Sequence, residues 1–270
     1  MGERRLPFTA VLLTALVLAT ALAASLPAHA ASSPATAQVA SAWRQAQQLI
    51  LVVTPSWDAS GGRMQTFERL GEGWRATESP VPVTIGRSGA AWGRGLHPAQ
   101  ADGPQKREGD GRAPAGVFTL GEAFGYAAQR DTGLTYAPMQ ASHYCIDVPA
   151  SPLYNRIVDS ERVGAAAVEG STEPMRRDLH ADGDVRYKEG FVIQHNPDNV
   201  SGAGSCIFAH LWKAPGEPTA GCTAMAEPMM DRLLAWLDDK RHPVFVLLPE
   251  AEYRRLRADW QLPAITEAAP

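Results

Sequence analysis

Glycine and proline interrupt this chain too often for long regular elements. There are 24 glycines and 21 prolines in 270 residues, about one residue in six. Gly supplies the backbone freedom that turns need, and Pro removes an amide donor, so such a chain builds many short strands rather than a helical bundle. The apolar runs between the interruptions agree. Residues 49–54 (LILVVT) form a continuous aliphatic and β-branched run, the pattern of a buried strand. Residues 64–70 alternate and can pair with that run through a Ser60-Gly61-Gly62 turn, and residues 81–85 read as a further strand. Residues 190–195 (GFVIQH) and 205–210 (SCIFAH) predict two adjacent core strands, and residues 244–248 another buried one. Helices come late. Met229, Met230, Leu233, Leu234, Trp236 and Leu237 give residues 226–239 the spacing of an amphipathic helix, and residues 252–260 predict a closing helix. Residues 41–48 read either as a short helix or as the lead into the first strand. No repeat of solenoid or propeller period is visible. The expected class is mainly β with peripheral helices, α+β, without regular βαβ alternation. Residues 86–116 are dense in Gly, Pro and charge and lack periodicity, which predicts a long loop at the surface.

The N-terminus sets the compartment. Arg4 and Arg5 precede residues 8–26, which carry no charge and are rich in Leu, Ala and Val. Pro27 ends that run, and Ala28-His29-Ala30 offers small residues at the positions a signal peptidase reads. Residues 1–30 therefore read as a secretory signal cleaved after Ala30. The competing reading is a retained membrane anchor, since the run is long enough to span a bilayer. No Cys follows it directly, which disfavours a lipoprotein. Residues 31–46 have a linker composition. The chain is expected to be exported, to a periplasm or cell envelope, without stable membrane insertion after cleavage. The formal charge of −4 and a pI near 6.0 give no basic footprint for nucleic acid.

The chain has three cysteines: Cys145, Cys206 and Cys222. In an oxidising compartment an odd count leaves one thiol over. Cys222 sits in Pro218-Thr219-Ala220-Gly221-Cys222-Thr223, a small-residue turn just ahead of the helix predicted from residue 226. Backbone N–H groups at such a turn and helix start stabilise an anion, which is expected to lower the thiol pKa. His210 ends a predicted strand twelve residues earlier, and a short loop can return the chain so that the two meet. A His beside a Cys supplies a base and then an acid, the minimum for acyl transfer through a thioester. Alone, the pair is a weak signal, and a buried Cys beside a structural His is the commoner arrangement.

The wider segment is more specific. Gly204-Ser205-Cys206-Ile207-Phe208-Ala209-His210, followed by Pro218-Thr219-Ala220-Gly221-Cys222-Thr223-Ala224-Met225, resembles the catalytic block of the L,D-transpeptidase (YkuD) catalytic-domain family. Upstream, Lys106-Arg107-Glu108-Gly109-Asp110-Gly111-Arg112-Ala113-Pro114-Ala115-Gly116-Val117-Phe118 is similar to a second recurring motif of that family. The two motifs stand in the family's order within residues 47–249, leaving residues 250–270 as a C-terminal helix and tail. The resemblance implies a β-sandwich-like catalytic domain with the Cys in a cleft under a flap, acting on peptidoglycan stem peptides. It implies Cys222 as nucleophile and His210 as general base and acid, with the backbone N–H groups of Gly221 and Cys222 facing the oxyanion. Thr219 keeps the hydroxyl of the motif's more frequent Ser. It further implies carbapenem-type β-lactams as inhibitors.

Two features depart from the pattern: Ala224 stands where most members carry Arg, and the His-to-Cys interval is short. Without that Arg, another cation must meet the substrate's charge; Arg176, Arg177 and Lys188 are candidates. His195 also ends a strand near the site but reads as structural. Cys145 and Cys206 either pair as a disulfide that leaves Cys222 free or remain two buried thiols. The leading function is a transpeptidase; the alternatives are a hydrolase using the same acyl-enzyme and, from another class, a non-catalytic wall-binding module. No cofactor is expected. No metal is expected either, because the histidines left after cleavage show no paired ligand spacing.

Overall fold

The structure, a computed structural model, describes residues 1–3 and 44–265. The signal segment with its cleavage site after Ala30, most of the 31–46 linker, and residues 266–270 of the tail lie outside the described residues. No helix among the described residues is long and apolar enough to cross a membrane.

Strand β1 (Gln48–Thr54) is buried at every position, which is why its sequence runs apolar without alternating. It pairs antiparallel with β2 (Gly61–Leu70), with Val52 opposite Met64 and Ile50 opposite Thr66. The expected pairing is present, but Gly61 and Gly62 belong to β2 and the connection is residues 55–60. β2 continues into a hairpin with β3 (Gly73–Ala76) and also pairs with β4 (Val81–Thr84). Short β5 (Ala90–Trp92) lies parallel to the start of β6 (Ala113–Gly125), and β7 (Tyr136–Pro138) to its end. β8 (His143–Cys145), β9 (Ile157–Asp159) and β10 (Glu173–Pro174) form a separate three-stranded sheet. β11 (Glu189–Ile193) and β12 (Phe208–Leu211) are the two adjacent core strands read from the sequence, paired antiparallel. β13 (Thr223–Met225) runs parallel to β12, and β14 (Val244–Pro249) runs parallel to β1.

The order β1-β14-β6-β11-β12-β13-β4-β2 returns to β1 through the β1–β2 pairing, so eight strands close a circuit. The chain is mainly β, as expected, but the main sheet closes on itself like a barrel instead of forming two facing layers. Closure satisfies strand edges that a sandwich would leave open. The helix Glu227–Trp236 packs Met229, Met230, Leu233 and Leu234 against this core. The helix Glu250–Leu256 adds Tyr253 and Leu256, two residues earlier than its sequence pattern began.

Residues 86–116 are a surface loop only in part: residues 93–112 form no strand and are mostly exposed or half-buried, whereas β5 and the start of β6 are buried. Ala90, Ala91 and Trp92 are buried, as are Ala113 and Ala115. The glycines that made the stretch look like exposed turns mark close backbone approach instead. A Cβ at Gly89 (φ +89°) would lie 2.0 Å from the Trp57 carbonyl oxygen, and one at Gly86 would lie 2.3 Å from that of Gly111. Trp57 and Trp260 pack edge-on against Trp92, with ring centroids 5.2 and 6.5 Å away.

Candidate active site

Cys145 and Cys206 form a disulfide across 61 residues of sequence, and Cys222 is the free cysteine. The bond ties the small β8–β10 sheet to the strip of chain that enters β12. Cys206 holds the left-handed conformation (φ +55°), which ends the strand pattern expected from residue 205 and delays β12 to Phe208. Asn155 Oδ1 accepts the Cys206 N–H at 2.9 Å and helps fix that bend.

The turn before β13 is stapled by one hydroxyl. Thr219 Oγ1 accepts the Gly221 N–H at 3.1 Å and donates to the Cys222 carbonyl at 2.7 Å. The Gly221 amide expected to face an oxyanion is therefore engaged inside its own turn. Gly221 also lies against the Arg112 carbonyl, 3.0 Å from where a Cβ would stand. The Cys222 thiol is buried. Its Sγ accepts the Phe208 N–H at 3.3 Å and lies 3.4 Å from the Cys206 carbonyl, the acceptor for its proton.

His210 lies on β12 with Gly190 of β11 opposite it on one side and Ala224 of β13 on the other. Two small residues thus flank the imidazole in the register. Phe208 and His210 are two apart on β12 and share a sheet face. Cys222 immediately precedes β13, and its Sγ reaches the N–H of Phe208, two residues from His210; among the described residues no hydrogen bond joins Cys222 and His210. His210 Nδ1 contacts the Leu211 carbonyl at 2.7 Å. A carbonyl can only accept, so Nδ1 carries the proton and Nε2 keeps the lone pair a base requires. The same register explains Ala224: it is fully buried between His210 and Thr84 of β4, where a guanidinium has no solvent.

Both groups are neutral at rest. Burial pushes the Cys222 thiol up to about 12, with the Glu173 carboxylate adding to the rise; the Phe208 N–H and the Lys106 and Arg186 charges pull the other way. This overturns the expectation of a lowered thiol pKa. The helix N-terminus is too far to help, because β13 stands between the turn and Glu227. Burial likewise lowers His210 to about 4.

Two residues that sequence reasoning missed complete this face. The Tyr187 ring packs edge-on to His210, with centroids 5.2 Å apart, and shares a buried cluster with Cys222 and Phe208. Its hydroxyl donates to Glu173 Oε2 at 2.6 Å. Burial and then the nearby Glu173 carboxylate hold the Tyr187 proton in place. Neither residue stands in a periodic or motif-like stretch, so no local signal marked them.

Cys222 lines a cavity of about 160 Å³ between the barrel and the small sheet. Its charged lining is Arg87, Lys106, Glu108, Asp147 and Glu173. None of the candidate cations Arg176, Arg177 and Lys188 lines that cavity, and all three are paired, although Arg177 Nη1 comes within 3.6 Å of the lining Glu173. Arg176 Nη2 is 2.8 Å from Asp178, Arg177 Nε is 3.1 Å from Asp184, and Lys188 Nζ is 2.6 Å from Glu227. His195 is structural, as its position suggested. Its Nδ1 accepts the Arg94 N–H at 3.2 Å, and its Nε2 contacts the Ala203 carbonyl at 3.0 Å.

No protein-family model matches the chain, and no curated protein sequence matches it. Two solved structures are similar: the helical cell shape determining protein Pgp2 from Campylobacter jejuni and a point mutant of it. The first is 12% identical, with a TM-score of 0.32, over 79% of this chain and 56% of that one. The mutant gives 12%, 0.34, 80% and 56%. The chain thus spans just over half the length of either solved chain.

Proposed function

We propose that this protein is an exported peptidoglycan L,D-transpeptidase, which crosslinks stem peptides through a thioester on Cys222, in cell wall biogenesis. The observation that carries the reading is the free thiol just ahead of β13, which takes the N–H of Phe208 two residues from His210 and lines a charged cavity. The His210 imidazole has its Nδ1–H fixed on a carbonyl. The disulfide adds to it, because it takes up both other cysteines. The two motifs similar to the L,D-transpeptidase (YkuD) catalytic-domain family supply the substrate class.

In this reading Cys222 Sγ attacks the carbonyl before the terminal D-Ala of a tetrapeptide stem, and its proton passes to His210 Nε2. The Cys222 backbone N–H faces the oxyanion. The C–N bond then breaks, and D-Ala leaves with the proton from His210. An amine of a second stem attacks the thioester and gives its proton to His210, which returns it to the Cys222 sulfur as the C–S bond breaks. Binding has work to do before attack: the thiol must give up the Cys206 carbonyl and turn its proton toward His210. Catalytic hydrogen bonds commonly tighten only in the substrate complex.

Incubating the mature protein with a disaccharide-tetrapeptide and weighing the products tests the reading. A crosslinked dimer supports it. A tripeptide alone replaces it with a hydrolase on the same acyl-enzyme, and an unchanged substrate replaces it with a wall-binding module.

A further inference from the structure

Five charged side chains line the Cys222 cavity, and four of them are engaged within the protein. Lys106 Nζ bonds Asp110 Oδ1 at 2.6 Å and the Arg107 carbonyl at 2.7 Å. Glu108 accepts the Ser205 hydroxyl at 2.7 Å and also the Tyr154 hydroxyl. Asp147 accepts the Thr172 N–H at 2.9 Å together with its hydroxyl. Glu173 accepts the Tyr187 hydroxyl at 2.6 Å and lies 3.6 Å from Arg177 Nη1. Arg87 is the fifth, and among the described residues no hydrogen bond or ion pair holds its guanidinium.

Its backbone, by contrast, is firmly placed. The Arg87 N–H donates to the Thr219 carbonyl at 2.8 Å, the Thr219 N–H donates to the Ile85 carbonyl at 2.9 Å, and Gly86 bridges Thr219. The residue that carries the free cation is therefore stitched to the turn that carries the nucleophile. Gly111 opposite adopts φ +70°, and a Cβ there would lie 3.3 Å from Arg87 Cγ and Cζ, so the missing side chain gives the guanidinium its berth. An exposed arginine fork without a protein partner, lining a small cavity, suits a carboxylate held bidentately. At about 160 Å³ the cavity is below the 300–1,000 Å³ typical of drug-sized ligand sites, room for little more than one small acidic group at a time.

We propose that Arg87 is the specificity-determining residue that binds a carboxylate next to the Cys222 thiol. It does the work that the sequence pattern would have assigned to a cation at 224. Taking that carboxylate as the terminal one of the acyl donor rests on the transpeptidase reading; the anion site itself does not.

The test uses the thiol as reporter. Alkylation of Cys222 in the folded full-length protein is followed by peptide mass mapping, with iodoacetate as the anionic probe and iodoacetamide as its neutral counterpart. The ratio of the two rates is expected to drop roughly tenfold in Arg87→Ala, what one charge-assisted hydrogen bond contributes, and to recover partly in Arg87→Lys. Added salt should shrink the wild-type preference. An equal ratio in wild type and Arg87→Ala overturns the proposal, as does a folded wild type whose Cys222 takes up no iodoacetate. A second arm compares tetrapeptide donors ending in a carboxylate or a carboxamide: Arg87→Ala should raise KM for the first and leave that for the second. Should wild type turn over neither donor, the transpeptidase reading falls while the alkylation ratio still decides the role of Arg87.

Discussion

At Cys222 burial and the Glu173 charge oppose ionisation, while the Phe208 N–H and the Lys106 and Arg186 charges favour it, and burial wins. The resting residue is therefore a guarded thiol whose proton points at the Cys206 carbonyl. His210 is matched to it, buried and uncharged, with its tautomer set by Leu211. A pH prediction follows. Acylation requires neutral His210, so its acid limb in kcat/KM should lie near pH 4, where burial has moved the imidazole, and not near its ordinary 6.5. A limb near 6.5 would mean that a solvated histidine is the base. His210→Ala should slow acylation by roughly 10²–10⁴-fold, the contribution of a positioned acid–base, as read in single-turnover experiments. The sequence singled out Cys222 and His210 through the motif-like block that holds them, since the pair alone is a weak signal. Arg87, Glu173 and Tyr187 reach the same place from segments far apart in the chain, so only the closed sheet and the disulfide assemble them.

Among the elements, the pair β12 and β13 explains one departure from the motif pattern, Ala224. The strands run parallel, with Ala209 opposite Thr223 and His210 opposite Ala224, so residues 212–222 carry the chain back to the start of β12 before β13 begins. Ala224 is buried there, opposite His210. Ala224→Arg should therefore not restore a missing contact but destabilise the fold, by about 3–5 kcal/mol for an unpaired buried charge, measurable by urea unfolding. The disulfide is the second lever. Closing a loop of 61 residues of separation should stabilise the chain by about 4 kcal/mol on the chain-entropy account, so Cys145→Ala should lower the unfolding midpoint markedly. In the oxidised wild type, thiol counting under denaturing, non-reducing conditions should find one thiol, mapping to Cys222; three would rule the bond out. Strands β1, β2, β11, β12 and β14 were legible because each carries its own apolar run. The buried parts of residues 86–116 were not, because a glycine that lets two backbones touch looks in sequence like a glycine that makes an exposed turn.

For the molecule as a whole, three buried imidazoles set the response to acid. Burial lowers His97, His195 and His210 to about 4 each, against hydrogen bonds that pull them back up. A folded-state pKa below the unfolded value means that unfolding takes up protons. Their contribution is therefore complete above about pH 6.5 and drains away as pH falls toward 4, a loss of order several kcal/mol in all. Urea midpoints measured across that window should fall steadily, and the slope should lessen in a His97→Gln protein. A midpoint that stays flat from pH 6.5 to 4 would show these rings to be solvated. The closed circuit of the main sheet was not legible, since closure depends on β1 meeting β2 and β14 at once, a fact about three distant segments. The central claim, that Cys222 accepts the acyl group, is tested most directly by the intact mass of the protein after exposure to a carbapenem-type β-lactam. The account predicts one adduct per chain, on the peptide containing Cys222, and none on Cys222→Ala. An adduct that persists on Cys222→Ala, or a wild-type protein that gains no mass, contradicts it.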